Sequence, residues 1–267
     1  MRKECILRRK QDHSIVIADC YVLLTTNRRI YMNFEKIQKV IKRFFNKSTS
    51  IDKLNIEDEY LKVYTKHTEY RIEDDPKSAV GGMWDVIGPL QFKFLISKGM
   101  QSDHKMLDIG CGSLRGGHHA IRYLNPGNYF GIDISSKAIE YSKELVIKMG
   151  LSDKDPHLTI SQNMDLKFRE FLNEKFDFIL AQSVFTHLKP EHITECFENI
   201  SQVMHKNSVF YFTYSKGKEY IQTGNFHFRY PFSFFESLAK KNAFRLSDCS
   251  EDYPHPRGQN MVELRKA

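Results

Sequence analysis

The chain has 267 residues, of which 41% are hydrophobic, and its formal net charge at pH 7 is +7. This hydrophobic content supports a buried core and excludes a disordered chain. The longest apolar stretches, residues 15–24 and 176–184, are too short and too often interrupted to cross a bilayer, and no secretion signal is recognisable. Five scattered cysteines without a CxxC pair indicate neither a disulfide framework nor a zinc site. We therefore expect a globular, cytoplasmic protein.

The first 75 residues differ from the rest in charge and pattern, and we expect them to form a cap or docking segment. Residues 1–47 hold 12 Lys and Arg against 4 Asp and Glu, whereas residues 48–75 hold 4 against 8. Two β-rich runs, 14–25 and 28–34, predict a hairpin, and helical spacing of apolar residues over 34–46 predicts a basic amphipathic helix. That helix is expected either to pack on the main domain or to make peripheral contact with anionic lipid, a phosphate-bearing glycan or, less favoured, nucleic acid.

The remaining residues, 76–267, alternate between helices and strands. Predicted helices span 83–99, 117–124, 136–149, 191–204 and 232–242, and predicted strands span 105–109, 128–132, 157–161, 176–182, 208–214, 244–249 and 259–265. Such alternation indicates an α/β fold with a doubly wound, mostly parallel seven-stranded sheet. A short link containing Pro254 and Pro256 joins the last two strands, so we expect them to form an antiparallel hairpin at the sheet edge.

The most informative motif is residues 106–117, Met-Leu-Asp-Ile-Gly-Cys-Gly-Ser-Leu-Arg-Gly-Gly, in which a strand passes through a glycine-rich loop into a helix. Gly110 and Gly112 let the backbone turn sharply and let a ligand approach the main chain. About 20 residues on, Asp133 ends the next strand, where a ribose diol would be held. The two motifs together predict a nucleoside-bearing cofactor at the carboxyl ends of the strands.

These motifs resemble those of the class I, Rossmann-like S-adenosylmethionine-dependent methyltransferases, from about residue 80 to the end of the chain. The resemblance implies S-adenosyl-L-methionine as cofactor, with Asp108, Gly110 and Gly112 at its methionine end and Asp133 on its ribose. The usual third glycine of that family falls at Leu114 here, so the loop is a variant. The predicted cofactor-binding residues are Trp84, Asp108, Gly110, Cys111, Gly112, Arg115, Asp133, Ile134, Asp165, Gln182 and Ser183.

Some of these positions have more than one possible role. Asp165, or its neighbour Asn163, corresponds to the polar residue that the family often places on the adenine amino group, and a solvated loop aspartate is equally compatible. Gln182 and Ser183 end a strand and should border the methyl group. Trp84 is either a core residue or part of a lid near the cofactor. Several shorter segments, among them 81–85 and 255–259, resemble a bacterial subgroup often associated with surface glycans or small metabolites.

His187 is the candidate catalytic base, because an imidazole titrates near neutrality and can accept a proton from a hydroxyl acceptor. A packing histidine is the competing interpretation. His227, Tyr230, His255 and Arg257 are the candidate substrate-binding residues, since they follow the fifth strand or lie in the final hairpin. No pattern with metal-ligand spacing is present, so no metal site is predicted.

The sequence therefore predicts a methyltransferase that acts on oxygen in a small molecule or glycan. An RNA or protein methyltransferase, suggested by the basic N-terminus, and a non-catalytic cofactor-binding scaffold remain alternatives. A nicotinamide-dependent oxidoreductase is less favoured, because Asp108 would repel a diphosphate. The acceptor, the methylated atom and the oligomeric state are left open.

Overall fold

The chain divides into two compact units, Met1–Lys53 and Leu54–Ala267. The computed structural model describes residues 6–9, 15–18 and 60–267. In the first unit, strand β1 (Ile6–Arg9) pairs antiparallel with strand β2 (Ile15–Ala18). The start of the predicted run 14–25 is thus a strand, and it pairs with an upstream segment. The second predicted run, 28–34, and the predicted basic helix, 34–46, lie outside the described residues, and the division expected at residue 75 stays a prediction.

The second unit contains the alternating elements. Its helices are α1 (Tyr60–Asp74), α2 (Pro76–Ala79), α3 (Trp84–Ser97), α4 (Gly117–Tyr123), α5 (Ser136–Lys148), α6 (Pro190–Asn199) and α7 (Phe232–Lys241). Its strands are β3 (Met106–Ile109), β4 (Tyr129–Asp133), β5 (His157–Ile160), β6 (Phe176–Ala181), β7 (Met204–Tyr214), β8 (Ile221–Thr223), β9 (His227–Arg229), β10 (Phe244–Asp248) and β11 (Asn260–Lys266).

Seven of these strands form one sheet, in the order β10-β11-β7-β6-β3-β4-β5. Strands β3 to β7 run parallel to their neighbours within this group, and β11 is antiparallel to both β7 and β10. The predicted doubly wound sheet with an antiparallel C-terminal hairpin is therefore confirmed. Within the hairpin, β10 takes the edge and β11 lies one position inside it.

The sheet is buried on both faces because its central strands are apolar at consecutive positions. In β7, Phe210 and Phe212 contribute to one hydrophobic cluster, whereas Val209 and Tyr211 contribute to the other. One prediction needs adjustment: β7 begins at Met204, inside the helix predicted over 191–204. A bulge in the pairing between β6 and β7 takes up the additional residues.

Helix α1 lies beside the carboxyl ends of the parallel strands, where it is held by polar contacts. The Tyr60 hydroxyl donates a hydrogen bond to the carbonyl of His187 (2.8 Å), and Ser136 Oγ donates one to Glu69 (3.1 Å). The apolar side chain of Leu61 joins the phenylalanine-rich core cluster. This anchoring places one face of α1 against the site described next.

Candidate functional site

A cavity of about 610 Å³ opens at the carboxyl ends of the parallel strands. Its wall includes the glycine-rich loop after β3, the ends of β4 and β6, the loop before α3 and one face of α1. Ligands of doubly wound folds bind at this edge of the sheet. The cavity is therefore the candidate site, and most of the predicted residues lie on its wall.

The glycine-rich loop needs its first two glycines for conformational and steric reasons. Gly110 has φ of 68° and Gly112 has φ of 53°, in the left-handed region that side chains disfavour. A Cβ atom on Gly110 would lie 2.6 Å from Val184, and one on Gly112 would lie 2.6 Å from Val80. The loop backbone therefore packs too closely against neighbouring segments to accept a larger residue at either position.

Asp133 is fixed by the backbone of two neighbouring loops. Its Oδ2 accepts a hydrogen bond from the Gly112 amide and its Oδ1 accepts one from the Ser135 amide, both at 2.9 Å. Burial raises the pKa of this carboxyl, and the backbone hydrogen bonds act in the opposite direction. A carboxylate has about four lone-pair sites, so Asp133 keeps capacity for hydroxyl donors. The held carboxylate and the close-packed glycine loop fit a ribose-bearing cofactor.

Four more of the predicted cofactor-binding residues lie on the cavity wall. Asp108 accepts a hydrogen bond from the Tyr129 hydroxyl (2.7 Å), and burial raises its pKa to about 7. Burial raises the pKa of the Cys111 thiol well above its usual value, so this cysteine stays protonated. Asp165 lies on the wall with its Oδ2 2.6 Å from Arg169, and Ile134 lies on it as well.

A polar network closes the end of β6. Gln182 Nε2 donates to Ser183 Oγ (3.0 Å) and to Gln259 Oε1 (3.2 Å), and the Tyr253 hydroxyl donates to Gln182 Oε1 (2.9 Å). Ser183 Oγ in turn donates to Gln259 Oε1 (3.0 Å). Gln182, Ser183 and Gln259 all line the cavity, although the sequence analysis had not selected Gln259. The network fixes the orientation of these amides.

Three arginines bind the backbone carbonyls of residues 78–82, and we call this arrangement the arginine clamp. Arg71 Nη2 donates to the Ser78 carbonyl (2.5 Å), Arg115 Nη1 donates to those of Val80 (2.7 Å) and Gly82 (3.1 Å), and Arg257 donates to that of Gly81. Burial lowers the pKa of Arg115 to about 10, which still leaves it charged at neutral pH. The clamp joins α1, the glycine-rich loop and the final hairpin around one wall of the cavity.

His187 lies on the cavity wall in a defined tautomer. Its Nδ1 is 2.5 Å from the carbonyl oxygen of Phe226. A carbonyl only accepts hydrogen bonds, so Nδ1 carries the proton and Nε2 is left as an acceptor. The imidazole stacks on Tyr64, with ring centroids 5.4 Å apart, and lies 4.8 Å from the ring of His227. Burial lowers the pKa of His187 to about 4, with smaller contributions from His227 and Arg71 in the same direction.

Three of the predicted contact residues are not on the cavity wall. Tyr230 is fully buried and its hydroxyl donates to the Leu188 carbonyl (2.6 Å). His255 is buried with its Nε2 3.3 Å from Gln182 Nε2, so it touches a wall residue instead of the cavity. Trp84 stacks on His118, with centroids 5.6 Å apart. None of these three side chains lines the cavity, whereas His227 and Arg257 do.

No site residue was predicted on α1, yet this helix supplies one side of the cavity. Tyr64, His67, Thr68 and Arg71 all line it. Their spacing of three or four residues places them on one helix face, and that face is polar and aromatic. This spacing is visible in the sequence, but the charge pattern groups the segment with the N-terminal extension, residues 1–75.

The fold and this site together define a class I S-adenosylmethionine-dependent methyltransferase. Residues 100–251, more than half of the chain, match a family model described as a methyltransferase domain. The chain belongs to this methyltransferase family, and the predicted class, enzyme type and cofactor, S-adenosyl-L-methionine, are confirmed.

Solved structures of methyltransferases share the fold. Magnesium protoporphyrin IX methyltransferase from Synechocystis PCC 6803, with bound S-adenosylmethionine, aligns with a TM-score of 0.60 at 13% identity, over 80% of this chain and 100% of that one. An S-adenosylmethionine-dependent methyltransferase from Clostridium acetobutylicum ATCC 824 aligns with a TM-score of 0.56 at 14% identity, over 74% and 98%. Within the described part of this chain, no helix is long and apolar enough to cross a membrane.

Proposed function

We propose that this methyltransferase acts on an oxygen atom of a small molecule or a glycan, with His187 as general base. The observation that carries the proposal is the hydrogen bond between His187 Nδ1 and the Phe226 carbonyl, which leaves Nε2 as a proton acceptor on the wall of the cavity. A hydroxyl acceptor must lose a proton as it is methylated, whereas an amine is already nucleophilic when neutral. A neutral imidazole can accept the proton that a hydroxyl acceptor must lose.

The cofactor would be held by other residues of the cavity wall. We assign Asp133 to the ribose hydroxyls, Asp108 with Gly110 and Gly112 to the methionine end, and Asp165 to the adenine. Gln182 and Ser183 would border the methyl group. When bound, S-adenosylmethionine supplies an electrophilic methyl group on a positively charged sulfur.

The work left to the protein is therefore alignment and removal of one proton. Alignment of reacting groups is worth several orders of magnitude in rate, and the fixed side chains of the cavity wall support it. His187 is neutral at pH 7, because burial lowers its pKa, and it can accept the hydroxyl proton at Nε2. The polar network around Gln182 would hold the side chains that face the reacting atoms.

The cellular location of the enzyme and the role of its N-terminal residues are part of this proposal. We infer a cytoplasmic location, and Cys111, Cys196 and Cys249 support it because all three are free thiols. Residues 1–75 would act as a cap or docking segment, within which α1 supplies one side of the cavity. The motif similarity to a bacterial subgroup associated with surface glycans or small metabolites favours acceptors of those two kinds.

The test is transfer of radiolabelled methyl from S-adenosylmethionine to a panel of phenols, sugars and nucleotide sugars, compared with amines of matched shape. Label on a hydroxyl compound, absent with His187→Gln, is the expected result. Transfer to amines alone, undiminished in that variant, would contradict it.

An RNA acceptor is the second candidate, because residues 1–47 carry an excess of eight positive charges, 12 minus 4. Steep salt dependence of RNA binding would favour it.

A further inference from the structure

One part of the cavity wall carries aromatic and basic side chains, and we call it the acceptor end. Its members come from α1, from the turn after β6 and from the segment around β9. They are Tyr64, His67, Arg71, His187, Phe226 and His227. The rings of Tyr64 and Phe226 meet edge to face, with centroids 5.5 Å apart, and the ring of His67 stacks on Phe226 at 5.0 Å. The acceptor end is therefore built for a flat or apolar group.

Each carboxylate on the cavity wall already accepts a hydrogen bond or forms an ion pair. Asp108 and Asp133 accept the hydrogen bonds described above, and Asp165 pairs with Arg169. Glu195 accepts from the Leu166 amide (3.0 Å) and pairs with Lys167 (3.3 Å). Each of these acidic groups therefore has a partner of its own.

Arg71 is different, because no described carboxylate lies within ion-pair distance of it. One of its nitrogens, Nη2, donates a hydrogen bond to the Ser78 carbonyl. A guanidinium has five N–H donors in a planar fork, which match the oxygens of a carboxylate or a phosphate. Arg71 thus brings a positive charge and further donors to the wall of the cavity.

The positive charge of Arg71 acts on two histidines of the acceptor end. It lowers the pKa of both His187 and His227, as a smaller effect than burial. If His187 accepts a proton, a second positive charge arises beside Arg71 in a partly buried site. Like charges in such a place are costly unless an anion offsets them.

We propose that the acceptor carries an anionic oxygen group, a carboxylate or a phosphate, next to a planar ring, and that Arg71 binds this group. The inference rests on the proposed function, because it concerns the acceptor of the same reaction. The rings of Tyr64 and Phe226 hold the planar part, and Arg71 holds the anion. An uncharged analogue of the same shape fills the same space without offsetting the guanidinium charge.

Binding of such an acceptor strengthens the base. The groups that face His187 are Tyr64, His67, Arg71 and His227, together with the Phe226 carbonyl. A bound anion offsets the positive members of this set, so the pKa of His187 rises when the acceptor is present. The base is thereby weakest in the empty site and strongest when there is a proton to remove.

The experiment is calorimetric titration of the full chain, saturated with S-adenosylhomocysteine, with benzoate, phenyl phosphate and uncharged benzamide. Saturation fills the cofactor end, so a probe anion cannot take the position of the methionine carboxylate. We expect both anions to bind about tenfold or more tightly than benzamide, since charge-assisted bidentate pairs are the strong ones. Arg71→Gln should remove this preference, Arg71→Lys should keep part of it, and Arg122→Gln, on the exposed side of α4, should leave it unchanged.

Two failures can be told apart. No binding of S-adenosylhomocysteine to the wild-type chain would contradict the proposed function itself. Binding of S-adenosylhomocysteine with equal affinity for anions and benzamide, or with neither anion binding, would overturn only the anionic acceptor. Preference for phenyl phosphate alone would assign the group as phosphate, and preference for benzoate would assign it as carboxylate. In the wild-type complex, the NMR titration midpoint of His187 should rise when the preferred anion is added, and an unchanged midpoint would contradict the link to the base.

Discussion

The cofactor end and the acceptor end of the cavity are built in different ways. The cofactor end uses backbone amides, two glycines with positive φ and a carboxylate fixed by hydrogen bonds to Gly112 and Ser135. The acceptor end uses side chains from segments far apart in the chain, such as Tyr64, His187 and Phe226. The first depends on the course of the main chain after two adjacent strands, and the second depends on long-range packing.

This difference has a chemical reason. The cofactor is the same throughout a methyltransferase family, so a local backbone arrangement can serve for it. The acceptor differs between enzymes, and side chains on a helix and a hairpin can change without disturbing the sheet. Substitutions at the two ends should therefore affect different measured quantities: cofactor affinity at one end and turnover at the other.

The largest expected effect is at the acceptor end. His187→Gln removes the proton acceptor and should lower kcat by about 10²- to 10⁴-fold, the range of general base catalysis. Affinity for S-adenosylhomocysteine should stay within about threefold, because His187 belongs to the other end of the cavity. Initial rates and calorimetry check the two parts. His157→Gln, an exposed histidine on β5, is the control, and a kcat as high as wild type in His187→Gln would contradict the role of base.

The next effect is at the cofactor end. Asp133→Ala removes two acceptors of backbone hydrogen bonds and should weaken binding of S-adenosylhomocysteine about 100-fold, equivalent to about 2.7 kcal/mol. Asp133→Asn, which keeps one acceptor oxygen, should be intermediate. Calorimetric titration measures both, with the exposed Asp153→Ala as control. Unchanged affinity in Asp133→Ala would show that the carboxylate does not bind the cofactor.

A smaller effect concerns the pH dependence of stability. Burial lowers the pKa of His255 to about 4 in the folded chain, below its ordinary value of 6.5. The unfolded chain therefore binds more protons between these two values, and stability falls as the pH drops from 6.5 towards 4. Relative to His255→Gln, the wild type should lose about 2 kcal/mol between pH 7 and pH 4.5.

Urea unfolding at the two pH values checks this prediction. The comparison with the variant is needed because the buried carboxyl of Asp108 has a raised pKa of about 7 and changes stability in the opposite direction. A parallel loss in wild type and variant would mean that His255 is protonated in the folded chain.

The smallest effect should come from Tyr230→Phe. This change removes the hydroxyl that donates to the Leu188 carbonyl and should reduce the free energy of unfolding by about 1 kcal/mol. Turnover should not change, because Tyr230 is packed in the core away from the cavity. Denaturant unfolding and initial rates give the two readouts, with the exposed Tyr220→Phe for comparison. A selective rise in KM would restore Tyr230 as a substrate contact.

The sheet and the cofactor end were predictable because their signals are local. Residues 106–117 and Asp133 follow strands whose apolar runs define the parallel sheet, so their meeting at one edge follows from the fold. The acceptor end was only partly predictable. His187, His227 and Arg257 were selected from their positions after strands, and all three line the cavity.

The differences between the predicted contact residues and the cavity lining have a common physical cause. Whether a side chain such as Tyr230 or His255 faces a cavity or the core depends on packing between distant segments, which no local pattern encodes. The contribution of α1 was missed because its charge pattern grouped it with the preceding residues, although Tyr64, His67 and Arg71 share one helix face. Sequence order alone could not show that this face meets the turn that follows β6.

The arginine clamp has a consequence for how such an enzyme can diversify. Its acceptors are four backbone carbonyls within residues 78–82, a group that every amino acid provides, so substitutions in this loop leave the hydrogen bonds in place. Gly81 and Gly82 are the exceptions, since both have a positive φ and a Cβ on Gly81 would also lie 2.6 Å from Arg257. The loop can therefore accumulate new side chains on the cavity wall while its backbone keeps its course, and a change of acceptor need not begin with a loss of structure.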